Sequence, residues 1–278
     1  MTNPRSPHEV ALRPLVHETL ESQSVVVTND LVYRGSRGHD LHFDVYRPAH
    51  ATDASLPIVL LTTGFSDAGM EKVIGCPAKA MRSYRSWARL IAGTGIAAIT
   101  YTNHEPTEDV HAILDHLHEN AALLRIDVSR IGLWSCSGNV PTALSLLMSR
   151  SSALACAALL YGYMLDVDGS TVVSDAARTW RFAHPAAGRQ VDDLPAELPL
   201  LIVRAGRDTM AGLNESIDRF AARALALNRP LTLVNLPAVS HAFDTVDAGA
   251  ASTHAIDGVL AFLRFHLIGT LGLKEAAK

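Results

Sequence analysis

A chain of 278 residues, 48% hydrophobic and 19% charged, can bury a substantial core, which excludes disorder as its main state. A formal charge of −4, from 24 basic and 28 acidic residues without a dense basic cluster, argues against nucleic acid as a partner. Cys76, Cys136 and Cys156 show no paired spacing, which points to a reducing, cytoplasmic setting, and no apolar run is long enough to make a membrane span expected.

Residues 1–22 are polar and mixed in charge and read as a lead-in or short surface helix, without the apolar stretch of a secretion signal. One domain is expected over 23–278. SVVVTNDLVYRG (24–35) and LHFDVYRP (41–48) are β-rich runs around the turn-forming SRGHD, an antiparallel pair that opens the sheet. LPIVLLTTGF (56–65) is a continuous apolar run, the pattern of a strand buried on both faces.

From there strands and helices alternate. A helix is predicted over 83–95, a strand over 96–103, and a long helix over 106–124 with Val110, Ile113, Leu114, Leu117, Ala121 and Leu124 at helical spacing. A short strand at Ile131–Trp134 leads into a helix over 141–150, and 154–164 is another buried strand. Residues 166–197 are polar and carry prolines, and read as a small insertion over the sheet's C-terminal edge. A strand at 198–206, a helix at 212–228, a strand at 231–240 and a helix at 253–269 complete the chain. The alternation predicts an α/β fold with about eight mostly parallel strands flanked by helices, and ligand binding outside their carboxyl ends.

RIGLWSCSGNV (130–140) is the segment with the most chemical content. An apolar strand that turns sharply into a helix with Ser137 at the apex is a nucleophile elbow. The hydroxyl then stands clear of the backbone, and the Gly138 N–H lies at a helix N-terminus, where negative charge is stabilised. The run Ser135-Cys136-Ser137-Gly138-Asn139 departs from Gly-x-Ser-x-Gly at both outer positions, and a serine there also suits an ordinary helix N-cap.

A serine nucleophile needs a base and a group to orient that base. Asp208 follows the strand at 198–206, and His241 follows the strand at 231–240. The chain order serine, aspartate, histidine is the one found in α/β-hydrolases and differs from the trypsin-like and subtilisin-like orders. Asp208 also fits a turn before the next helix, and Asp166 or Asp168 is the rival acid. Cys136, one step before the apex, is expected to point into the fold as a small buried hydrophobe. His111 and His118 share a helix face but His116 does not, so no metal site is expected. Tyr84 and Trp87 read as core, whereas Tyr161 and Tyr163 end a strand beside the insertion and are candidates for the pocket lining.

Through LPIVLLTTGFSDAG, RIGLWSCSGNV, LLIVRAGRD and SHAFD, the chain resembles dienelactone-hydrolase-like serine hydrolases of the α/β-hydrolase superfamily, over roughly residues 25 to 270. The resemblance implies the α/β-hydrolase fold, with Ser137 as nucleophile, Asp208 as acid, His241 as general base and the N–H groups of Phe65 and Gly138 as oxyanion hole. It places Phe65 beside the substrate and implies no cofactor. Thr63 stands where the family's oxyanion loop usually begins His-Gly, and Ser137 stands where dienelactone hydrolases proper carry cysteine. The expected activity is that of a carboxylic ester hydrolase, cleaving a small-molecule ester or lactone through an acyl-enzyme. The same residues suit an acyltransferase or thioesterase, or a hydrolase-fold small-molecule binder with little turnover. Oligomeric state leaves no mark in the spacing.

Overall fold

The computed structural model describes residues 12–51 and 55–269. Among these residues the strands are β1 (Val26–Arg34), β2 (Asp40–Arg47), β3 (Leu56–Leu61), β4 (Ala97–Tyr101), β5 (Ile126–Cys136), β6 (Cys156–Leu160), β7 (Leu200–Ala205) and β8 (Leu231–Leu236). They form one sheet in the order β1-β2-β4-β3-β5-β6-β7-β8. β2 runs antiparallel to both β1 and β4, and every other pairing is parallel. The mostly parallel, helix-flanked sheet expected from the alternation is therefore present.

Burial explains the composition of the strands. Every residue of β3, β4 and β6 is buried, so these strands carry almost no polar side chains. The core lies in two layers, one on each side of the sheet. The helices Pro106–Glu119, Val140–Ser149 and Leu213–Ala226 cover one face, and Arg82–Gly93 and Ala250–Ile268 cover the other. Among the described residues no helix is long and apolar enough to cross a membrane.

Several boundaries differ from the sequence expectation, each for a local reason. The long helix ends at Glu119 rather than 124, because Asn120 leaves helical geometry and a separate turn, Ala121–Leu124, follows. β5 begins at Ile126 rather than Ile131, because Ile126 pairs with Leu56 across a register shift. β6 stops at Leu160, since Tyr161 takes a left-handed φ of 35° that no strand continues through. The insertion after β6 carries its own helix, Val172–Trp180. A helix at Asp67–Ile74, with Ser66 as N-cap and Gly75 in the left-handed region at its end, lies where no element was expected.

Of the expected lead-in, residues 1–11 lie outside the described residues. The following residues pack onto the domain: Leu15 is buried, and the Val16 N–H donates to the Asp244 carbonyl at 2.8 Å. One short helical turn, Leu20–Gln23, capped by Thr19, follows at the end of the lead-in.

Candidate active site

The carboxyl ends of β3, β5, β6, β7 and β8 open on one edge of the sheet, and the chain just beyond them carries Phe65, Ser137, Tyr161, Asp208 and His241. Central, long β5 ends at Cys136 with extended geometry, and the next three residues form a single tight turn before the Val140–Ser149 helix. The direction reverses at Ser137, whose φ of 54° puts a residue with a Cβ in the left-handed region. Its hydroxyl does not cap the helix. Instead it lies 2.9 Å from His241 Nε2.

His241 Nδ1 is 2.6 Å from Asp208 Oδ2, and the Asp208 side chain is fully buried. A carboxylate only accepts, so Nδ1 carries the ring proton and Nε2 is left to accept from the serine hydroxyl. The other Asp208 oxygen accepts the Met210 N–H at 2.9 Å. The turn role and the histidine contact are thus shared between its two oxygens. Asp166, the rival acid, caps the insertion helix through the N–H groups of Val173 and Ser174 at 2.8 and 3.0 Å, and Asp168 is exposed in a turn.

The loop after β3 packs directly against the elbow. A Cβ on Gly64 would lie 2.7 Å from the Gly138 carbonyl oxygen, so only glycine permits this approach. Asn139, at the second departure from the elbow pattern, supplies the tie. Its Oδ1 accepts the Gly64 N–H at 2.7 Å, and its Nδ2 donates to the Tyr84 hydroxyl and the Cys136 carbonyl, both at 3.0 Å. Asn103 holds the same loop from the β4 side, donating through Nδ2 to Thr63 Oγ1 at 2.8 Å and to the Phe65 carbonyl at 3.1 Å. Among the described residues, the Phe65 N–H has no acceptor within the chain.

Tyr161 and Tyr163 follow the end of β6 at this edge, both buried. The Tyr161 ring packs edge-on to His241, with centroids 5.0 Å apart, and its hydroxyl donates to Asp244 Oδ1 at 2.8 Å. Trp87 Nε1 donates to the second Asp244 oxygen at 2.7 Å. Burial pushes the Asp244 carboxyl upward, and these two donors oppose the shift. The Tyr163 hydroxyl donates to the Ala211 carbonyl at 3.0 Å. Cys136 points inward beside Tyr84, and burial drives its thiol up to about 12. His111, His116 and His118 stay on the long helix, and among the described residues no three His, Cys, Asp or Glu side chains gather as a metal site.

Sequence reasoning missed Asn139 as a tie, although its presence in place of glycine was visible. It also missed the Asp244–Trp87–Tyr161 cluster and Phe182, which packs against Phe65 from the insertion with ring centroids 5.9 Å apart. Trp87, Tyr161 and Asp244 stand in stretches already singled out, but nothing local in the sequence brings them together, and nothing marks Phe182.

The arrangement can pass a proton from a hydroxyl to an imidazole held by a buried carboxylate, beside the Gly138 N–H at a helix start and the Phe65 N–H of the loop after β3. No protein-family model matches the chain, and no curated protein matches it significantly. Solved structures do. A thermostable esterase from Pseudomonas putida is similar with a TM-score of 0.71 at 14% identity, covering 96% of this chain and 93% of its own. A bacterial heroin esterase gives 0.65 at 18% identity, covering 89% and 86%. An α/β-hydrolase enzyme from the metagenome of Lake Arreo gives 0.69 at 18% identity, covering 94% and 86%. At such identities the likeness is one of architecture, and together with the strand order it establishes that this chain has the α/β-hydrolase fold.

Proposed function

We propose that this protein is a serine hydrolase that cleaves a carboxylic ester or lactone through an acyl-enzyme, with Ser137 as nucleophile, His241 as general base and Asp208 as the orienting acid. The observation that carries this reading is the unbroken hydrogen-bond series from the Ser137 hydroxyl through both His241 nitrogens to Asp208. The esterases among the similar structures support ester substrates. The four motifs quoted above favour the dienelactone-hydrolase-like group, and three free cysteines suit a cytoplasmic location.

In the first half-reaction His241 Nε2 takes the Ser137 proton as the oxygen bonds to the substrate carbonyl carbon. The N–H groups of Phe65 and Gly138 receive the oxyanion, each contributing about 3 kcal/mol to the transition state. Collapse expels the alcohol, which leaves with the proton from His241. Water then attacks the acyl-enzyme, giving its proton to His241, and the acid departs as Ser137 is regenerated. Throughout, Asp208 fixes the tautomer and stabilises the imidazolium.

The test is labelling by a fluorophosphonate probe together with turnover of p-nitrophenyl esters and simple lactones. Labelling and turnover in the wild type, both lost in Ser137→Ala, are expected. A folded wild type that neither labels nor turns over any of these substrates overturns the assignment.

A further inference from the structure

Phe182 belongs to the insertion after β6, yet it lies against the elbow. The Val172–Trp180 helix ends at Arg181, whose φ of 63° turns the chain back over the sheet's edge. Two contacts then fix the position of the next residue. The Ala183 N–H donates to the Gly64 carbonyl at 2.7 Å, tying the insertion to the loop after β3. The Phe182 ring stacks on Tyr163 with centroids 5.3 Å apart and planes 25° apart, and Tyr163 is itself anchored to the Ala211 carbonyl. The ring is only 5% exposed.

From this position Phe182 meets the residue after the nucleophile. A Cβ on Gly138 would lie 2.7 Å from Phe182 Cδ1 and 2.9 Å from Phe65 Cζ, so the two rings close directly on that peptide. The chemistry of the intermediate says which part of a substrate reaches them. A tetrahedral carbon on Ser137 carries the serine oxygen, the oxyanion, the leaving oxygen and the acyl carbon. The leaving oxygen has to face His241 Nε2 to be protonated, and the oxyanion faces the Phe65 and Gly138 N–H groups. The acyl carbon takes the remaining direction, and the Phe65 and Phe182 rings that close on the Gly138 peptide bound the space beside the nucleophile.

We propose that Phe182, backed by Tyr163 and facing Phe65, is the wall of the acyl subsite and restricts this enzyme to short acyl groups of acetyl to butyryl size. The proposal rests on the serine ester hydrolase reading and adds to it a residue that sets specificity. Aromatic stacking and the Ala183–Gly64 bond make the wall stiff, so a longer chain cannot simply displace it.

The experiment uses the full-length protein and p-nitrophenyl esters from acetate to dodecanoate, which share one leaving group. For the wild type, kcat/KM is expected to fall steeply beyond butyrate. In Phe182→Ala the octanoate-to-acetate ratio of kcat/KM is expected to rise by about tenfold or more, because each methylene admitted gains binding in the transition state. Phe182→Leu, a milder change that keeps the site filled, is expected to give an intermediate ratio. Fluorophosphonate labelling reports the state of Ser137 independently of acyl length. A wild type that takes octanoate as well as acetate overturns the proposal. So do variants that still label and hydrolyse acetate with an unchanged ratio. A wild type that neither labels nor hydrolyses any ester overturns the hydrolase reading itself, and the proposal with it.

Discussion

Asn139 holds the Gly64 N–H at 2.7 Å, joining the turn after β5 to the loop after β3 through one side chain. The elbow pattern has glycine at this position because side chains there crowd each other. Here the side chain turns inward, where it is 7% exposed and hydrogen-bonded at both ends. By occupying the Gly64 N–H it fixes the loop that presents the next amide, that of Phe65. Asn139→Ala is expected to lower kcat by about 10–100-fold with KM changed by less than about twofold, since the lost alignment matters in the transition state. It should also destabilise the protein by about 2 kcal/mol in urea titrations, because buried donors and acceptors lose their partners. An unchanged kcat in the folded variant would remove Asn139 from this role.

Asp208 can be tested without disturbing its turn. Asp208→Asn keeps an acceptor for the Met210 N–H but can present an N–H to His241 Nδ1, favouring the wrong tautomer. The expected result is a loss of kcat of about 10³–10⁴-fold with near-wild-type stability. Steady-state kinetics on one ester, alongside thermal melting, decides it. A loss of less than about tenfold would assign the orienting role elsewhere.

Cys136 neighbours Ser137, the proposed nucleophile, but should be inert. Its thiol, pushed up to about 12 chiefly by burial, stays protonated at neutral pH. Maleimide at pH 7.5 is expected to spare Cys136 in the native protein, whereas half-buried Cys76 reacts slowly. Cys136→Ala is expected to retain most of the activity. Rapid native-state alkylation of Cys136, found by peptide mass mapping, would contradict the inward placement.

Asp67 gives a pH dependence of stability. Burial raises its carboxyl to about 6 from 3.8, against the opposing hydrogen bond from the Asn103 N–H at 2.7 Å. Between these values the folded protein binds the proton and the unfolded chain does not, so stability falls as pH rises from about 4 to about 6. Above about 6 the penalty is fully present, on the order of 3 kcal/mol. Asp67→Asn should therefore gain stability relative to the wild type as pH is raised from 4 to 7. Melting temperatures at several pH values test this, and a constant difference between the two proteins would refute it.

Much of the architecture could be read from composition because burial on both faces leaves a strand no choice of residue. The runs at β3, β4 and β6 are continuous and apolar for that reason. Ser137, Asp208 and His241, now found hydrogen-bonded in series, were visible because each lies within a few residues of the end of a strand, buried for β5 and β7 and largely exposed for β8. What stayed hidden depends on distant parts of the chain. The early end of β6 follows from the backbone reversal at Tyr161, beside the elbow, not from its apolar composition. Asn139 was visible as an anomaly, but its partners Gly64 and Tyr84 lie 75 and 55 residues away. Phe182 sits in a polar stretch, and its neighbours Tyr163, Phe65 and Gly138 come from three different strand ends.

The backward bend at Ser137 opposes durability to reactivity at one position. A side chain held at a φ of 54° costs about 1 kcal/mol relative to a residue without a Cβ. Glycine there would relax the bend but remove the hydroxyl's hydrogen bond to His241 and, on the proposed mechanism, the nucleophile itself.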